Sequence, residues 1–445
     1  MSTMQAAIAA HRFGLGEKDL AVVGDDGAGW LVRQIGPGDQ PDGAGLMSSR
    51  EALKLFPAFV KQQKERARDP SSATDGVEAD FRKHYRQSVL AELDARWSLA
   101  ASTPRPFAER LALFWANHFT VSAAKPRVAG LVGPFEREAI RPNIAGRFGT
   151  LLRAAVIHPA MLVYLDNAQS IGPDSPAGRR RERGLNENLA REILELHTLG
   201  VEGGYGQQDV IEFAKVLTGW TVRPDGNGEA EFIERMHQPG SKTILGRRFG
   251  EAGAQELEAV LDMLATHPST ARHISTKLAR HFVSDDPAPA LVDRLAQSFT
   301  RSGGDLSRTY RSLLDAPEAW APGFPKLKRP EELAVSTLRV LGVRGKVVEQ
   351  VGRAVREMGQ PVGAAPSPAG WGDRAEEWLG PDAMWKRIEW ADQVAARAPQ
   401  SDTRALAQAA FGPSLSAGTL QQIERAESSR QALALFLASP EFQRR

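Results

Sequence analysis

The chain is predicted to be mainly α, a multi-helix array with one small β-hairpin. Three observations predict it. Apolar residues recur at i, i+3 and i+4 through most of the 445 residues. Proline or an N-capping side chain stands ahead of many of these runs, and glycine after several. Only the stretch from Glu231 to Phe249 carries a good strand signal.

From the start, Gln5 to Ile35 reads as two short helices around Phe13-Gly14-Leu15-Gly16. Gly36 to Gly45 is a Gly/Pro/Asp-rich loop. A helix is expected from Ser49 to about Arg68, broken by Asp69-Pro70-Ser71-Ser72, and a long one from about Gly76 to Ala101. Pro106 suits the first position of the next helix, whose face carries Leu111, Phe114, Trp115 and Phe119 with His118 at its centre. Asn143 to Asn167 reads as two helices joined at Ile157-His158-Pro159. The same X-Pro punctuation recurs at His267-Pro268, Ala316-Pro317 and Ser439-Pro440, without a fixed period. Ser170 to Gly184 is a basic Pro/Gly-rich loop, read as surface loop ahead of mobile lid.

The stretch Asn186 to Trp220 reads as helix, glycine turn, helix. Asn186 caps, Glu187 sits in the first turn, and Gly200, Gly203 and Gly204 carry the turn. Leu189, Ile193, Leu196 and Leu199 form one face, with Glu192 inside that stripe and Asn188 and Glu195 flanking it. Arg191 is placed to pair with Glu187 and Glu195. The second helix runs from Gln207 to Thr218, and Trp220 is expected to pack back after Gly219. Next, 231–237 and 242–249 flank Gln238-Pro239-Gly240-Ser241 as a hairpin, with His237 and Lys242 near its turn. Helices follow at 255–264, 268–283, 291–301, 306–314 and 330–341. A Pro/Gly loop then runs to Trp371, ahead of Trp378, Trp385 and Trp390, and the last helices end at Phe442-Gln443. Tryptophans near prolines suit a carbohydrate or peptide platform, and packing of the long loop is the plainer expectation.

Composition is that of an ordinary globular protein: 42% hydrophobic, 25% charged, formal net charge +2. So balanced a chain offers no global field for nucleic acid or a membrane. It has no cysteine, which excludes disulfides, thiol catalysis and Cys-ligated metals. The N-terminus lacks a charged n-region, and no run reaches membrane-spanning length; the expectation is cytoplasm unless the natural start lies upstream. There is no Gly-rich phosphate loop, G-x-S-x-G elbow or H-E-x-x-H.

Two ionisable groups therefore stand on apolar stripes, His118 and Glu192. Each is costly there without a partner, and the pattern suggests that they face each other, with Asn117 and Asn188 nearby. The bland alternative for Glu192 is a structural ion pair, and for His118 a satisfied core histidine.

Several motifs together resemble a large bacterial family, the domain-of-unknown-function 1800 family. They are F-W-A-N-H-F around His118, P-A-M-L-V-Y-L-D-N-A-Q at 159–169, N-E-N-L-A-R-E-I-L-E-L-H-T-L-G at 186–200, V-L-T-G-W ending at Trp220, K-T-I-L-G at 242–246, H-P-S-T-A-R-H-I-S-T-K-L at 267–278 and the closing S-P-E-F-Q. The resemblance spans nearly the whole chain. It implies one single-domain orthogonal array, with N-terminal helices over 1–105, a motif-bearing core over 106–283 and C-terminal helices with the Pro/Trp loop over 284–445. It also implies a partner, a phosphatase/sulfatase-like protein encoded nearby, and with it a periplasmic or envelope location. The sequence departs from the family where Gly206 stands in place of a capping Thr, and where His237-Gln238 stands in place of His-Asp.

The functional expectation is a scaffold, or a partner- or polymer-binding protein, with a buried His/Glu/Asn network. The alternative is a hydrolase, metal-dependent in one form, using His118, Glu192 and Lys242, with Asn117, Asn188, Glu195, Trp220 and His237 lining the site. Neither a cofactor nor a metal is specified by the sequence.

Overall fold

The computed structural model describes residues 3–55, 75–180, 184–222, 228–345, 348–400 and 402–445. The far part of the helix expected from Ser49, the break at 69–72 and the polar stretch 223–227 lie outside the described residues. The protein is mainly helical with two small antiparallel two-stranded sheets.

The helix boundaries follow the punctuation. Pro106 opens the Pro106–His118 helix. At Phe148–Ile157 and Pro159–Tyr164 the joint is His158, whose ring Nδ1 accepts the Ala160 N–H at 3.1 Å. His267 does the same for Ser269 ahead of Pro268–Phe282, so an imidazole replaces the usual hydroxyl or carboxylate cap. Gly342 closes Pro330–Leu341 in the left-handed conformation that glycine adopts without strain.

Among the described residues three segments wind as π-helix: Ala9–Phe13, Glu136–Ile140 and Ile193–Thr198. The third follows the short α segment Asn188–Glu192 and is closed by the Leu199 N–H on the Leu194 carbonyl (2.9 Å) and the Thr198 hydroxyl on the Ile193 carbonyl (2.6 Å). The N-cap is Glu187 and not the expected Asn186, which lies one residue earlier and accepts the Asn188 N–H (2.9 Å) in a local turn. A π turn holds one residue more than the α period assumes. The apolar stripe therefore does not continue through Leu196, which is half-buried; His197, wholly buried, takes its place.

The β structure also differs from the expected hairpin. Residues 230–232 (β2) pair with Trp220–Val222 (β1), Trp220 opposite Phe232. Lys242–Ile244 (β3) pairs with Arg247–Phe249 (β4) across Leu245-Gly246, both at positive φ as a two-residue turn demands. Alternation alone could not distinguish a strand pairing forward from one pairing back.

The largest apolar core draws on residues from Ala6 to Ala319, and a second gathers the C-terminal helices around Phe411, Phe436 and Phe442. Arginines bind the distant segments together. The Arg12 guanidinium donates to the carbonyls of Ala319 (2.5 Å), Ala321 (2.8 Å) and Gly323 (2.5 Å). Arg339 reaches those of Gly16, Ala100 and Thr103. His11 stacks on Phe411 at 4.0 Å and bonds the Ala410 carbonyl at 2.7 Å. Each such fork joins chain ends hundreds of residues apart by charge-assisted bonds.

Candidate functional site

His118 ends its helix with its ring buried among Trp115 (5.2 Å between centroids) and Phe119 (4.6 Å). Its Nε2 lies 3.2 Å from the His197 carbonyl, so Nε2 carries the proton and Nδ1 the lone pair, without a partner. His197 and His273 stand 5.9 and 6.3 Å away, ring to ring. His273 bonds the Leu196 carbonyl at 3.0 Å, while neither nitrogen of His197 has a partner. Lys277 lies one helical turn from both His273 and His281. Burial, with Lys277 adding to it, lowers His118 well below 6.5, His197 to about 3 and His273 to about 4; burial lowers Lys277 itself to about 8. His118 and His197 are neutral imidazoles packed on aromatic rings, and His273 is a third neutral imidazole beside His118.

The pairing of His118 with Glu192 is not formed: no hydrogen bond or ion pair joins them. Glu192 is half-buried, with Glu195 near it and Tyr164 within its field, and burial followed by Glu195 raises its carboxyl. The physical reason is the π segment, which turns His197 rather than a carboxylate toward His118. Asn188, expected beside them, is exposed. Glu195 accepts from the Tyr205 hydroxyl at 3.2 Å, and Arg191 pairs with Glu187 at 3.0 Å but not with Glu195. Asn117 points elsewhere, giving its amide to the Trp371 carbonyl (2.9 Å) and taking the Trp371 N–H (2.8 Å), so it pins the Pro/Gly loop.

His237 and Lys242 do meet, with a third residue that the sequence reading passed over. Lys242 Nζ lies 2.7 Å from Glu256 Oε2 and 3.1 Å from His237 Nε2, and donates to the Gln238 carbonyl at 2.6 Å. His237 Nδ1 faces the Thr218 carbonyl at 2.8 Å, and its Nε2 sits between Lys242 Nζ at 3.1 Å and Glu256 Oε1 at 3.2 Å. Burial pushes the Glu256 carboxyl up, but His237, Lys242 and the Ala252 N–H outweigh it and hold it at about 2. Lys242 is thus committed to a closed ion pair that seats β3 on the Ala254–Ala265 helix. Gln238 trades two bonds with Asp174 across the loop. Trp220 stacks near Phe232 (5.6 Å), and its carbonyl accepts from Asn167 at 3.0 Å. A signal for Glu256 existed: with Val260 and Leu264 it repeats at i, i+4, i+8, a carboxylate inside an apolar stripe, as Glu192 is.

A larger network centres on Glu332, in the first turn of Pro330–Leu341 and only 3% exposed. Its carboxylate lies 3.1 Å from Arg110, 3.1 Å from Arg445 and 3.5 Å from Arg329, and also caps the Arg329 N–H at 2.9 Å. Arg445 also reaches Asp373 (3.6 Å), which bonds His281 Nδ1 at 3.0 Å. Burial raises a carboxyl, yet Arg445, Arg110 and Arg329 together hold Glu332 well below the usual range. Arg110, sharing that one carboxylate, is lowered to about 9 by burial and then by Arg445. The carboxylate gains from three cations, whereas Arg110 shares it with Arg445 and Arg329, two neighbours of its own sign.

Among the described residues no group of three or more His, Asp or Glu is arranged to hold a metal ion, and no helix is long and apolar enough to cross a membrane. The four tryptophans do not form one platform. Trp371 and Trp378 pack together at 6.0 Å, Trp390 is half-buried, and Trp385 faces solvent. On the Pro381–Arg397 helix, Trp385 (61% exposed) and Ile388 (50%) lie one turn apart, with Leu379 exposed just before them.

No curated protein and no solved structure matches the chain. The family model described as "Protein of unknown function (DUF1800)" matches residues 8–444, nearly the entire length over which the motifs around His118, Glu192 and Lys242 are spread, and the chain belongs to that family.

Proposed function

We propose that the protein is a helical scaffold that binds a partner protein through the outer face of the Pro381–Arg397 helix, its buried Glu332–arginine and His237/Lys242/Glu256 networks holding the fold that presents it in one geometry. The observation that carries this reading is the exposed pair Trp385 and Ile388 beside Leu379. Large side chains adjacent on the surface of a helix that also buries Arg387, Ala391 and Ala395 suit the centre of an interface better than open water. The groups weighed for hydrolysis support it too: Lys242 is paired and His118 is packed among rings. The partner proposed is the phosphatase/sulfatase-like protein expected from the family resemblance.

The test is sedimentation or calorimetric titration of the two purified proteins. Association should be weakened about 30-fold by Trp385→Ala, the value of a central tryptophan at about 2 kcal/mol. Failure of the pair to associate, or equal binding by Trp385→Ala, refutes the reading.

A further inference from the structure

A cavity of about 120 Å³ lies between the Asp75–Ser102 helix, the Pro106–His118 helix and the loop that follows Gln360. Val89, Leu93, Leu113, Val121, Phe135 and Val362 line it, together with two ion pairs whose charges answer each other, Arg96 with Glu136 at 2.8 Å and Arg137 with Glu92 at 2.7 Å. At one side it meets Arg329, Glu331 and Gln360. The Glu331 carboxylate is already engaged, by Arg96 and by the Trp97 indole N–H at 3.0 Å. Arg329 is not fully engaged: its side chain is 6% exposed, Nη2 is 3.5 Å from Glu332, and Nε has no partner. The Gln360 amide oxygen accepts the Glu331 N–H at 2.9 Å, which fixes the orientation of that amide and makes its NH2 the remaining donor. A mostly apolar pocket whose other charges are paired, with a buried guanidinium N–H and an amide NH2 at one edge, is the counterpart of a molecule with an apolar body and an anionic, hydrogen-bond-accepting head.

Size narrows the class. A dry cavity of about 150 Å³ takes one benzene ring, so this one suits a shorter body of about four or five carbons. We infer that this cavity is a binding site for a short-chain aliphatic monocarboxylate, its alkyl group among Leu93, Leu113 and Val362 and its carboxylate on Arg329 Nε and the Gln360 amide. Nothing in the partner-binding reading depends on it.

The probe is isovalerate, titrated into the full chain by isothermal calorimetry beside its neutral isostere isovaleramide. Ala116→Phe fills the cavity from the Pro106–His118 helix, and Val362→Phe fills it from the loop, where backbone adjusts more easily. The expected result is saturable one-to-one binding of isovalerate tighter than about 1 mM. Isovaleramide should bind on the order of tenfold more weakly. Binding should vanish in whichever filled variant keeps the wild-type circular dichroism and melting curve. No isovalerate binding, equal binding of the amide, or undiminished binding by a folded filled variant overturns the assignment.

Discussion

Replacing Glu332 by Gln keeps the volume and one acceptor oxygen but removes the charge that Arg110, Arg329 and Arg445 share at 3.1 to 3.5 Å. At an effective dielectric near 20, each contact at about 4 Å amounts to about 4 kcal/mol of attraction. The carboxylate's own desolvation offsets a large part of the three. Removing one partner of a buried ion network costs about 3–5 kcal/mol because the others are left uncompensated, and we expect about 4. Spread over the unfolding entropy of so long a chain, at about 2 cal/mol/K per residue, that moves a melting temperature by only a few degrees. Urea unfolding followed by circular dichroism is the better assay. The sign with pH also follows. The folded carboxyl lies well below its ordinary 4.5, so its contribution is complete above pH 4.5 and is lost as pH falls toward the folded value. The gap between wild type and Glu332→Gln should stay flat from pH 8 to 6 and narrow below about 4.5. A gap under about 1 kcal/mol at pH 7, or one that does not narrow in acid, would show that the arginines are satisfied by backbone carbonyls and that the argument is wrong.

His197→Phe should be tolerated at pH 8, because both ring nitrogens lack partners and the neighbours are aromatic. Its folded pKa is about 3 against 6.5 unfolded, so the wild type loses stability as pH falls below 6.5. At pH 5 the variant should gain about 2 kcal/mol on it relative to pH 8, and parallel pH profiles of urea midpoints would contradict this. Lys242→Met strands Glu256 in the interior and should cost about 3–5 kcal/mol. A double-mutant cycle with Glu256→Gln should return more than about 1 kcal/mol of coupling, and additivity would mean the pair is idle. Asn117→Ala removes both bonds to Trp371 and should speed hydrogen exchange at the Trp371 amide, read by mass spectrometry, without changing the far-ultraviolet spectrum. Unchanged exchange there would mean that Trp371 packing alone holds the loop.

Much of the architecture was legible from residue order because its causes are local. Proline at 106, 159, 268 and 330 cannot sit inside a helix without losing a bond, and it opens one in each case. The stripe on Pro106–His118 put His118 in the core, where it lies. Local pattern also singled out His237 and Lys242 as neighbours of one turn.

Partners, by contrast, were decided only in three dimensions. A periodicity of 3.6 placed Leu196 inward, and a single π turn, maintained by bonds from Leu199 and Thr198, put His197 there instead and left Glu192 on a half-open face. Position in a first turn suits Glu332 to the helix dipole, and nothing within that helix announces Arg110 and Arg445, which lie 222 and 113 residues away. Sequence alone determines which groups will be expensive to bury. Which groups answer them is settled by packing, since an ion pair between distant segments leaves no periodic trace in either one.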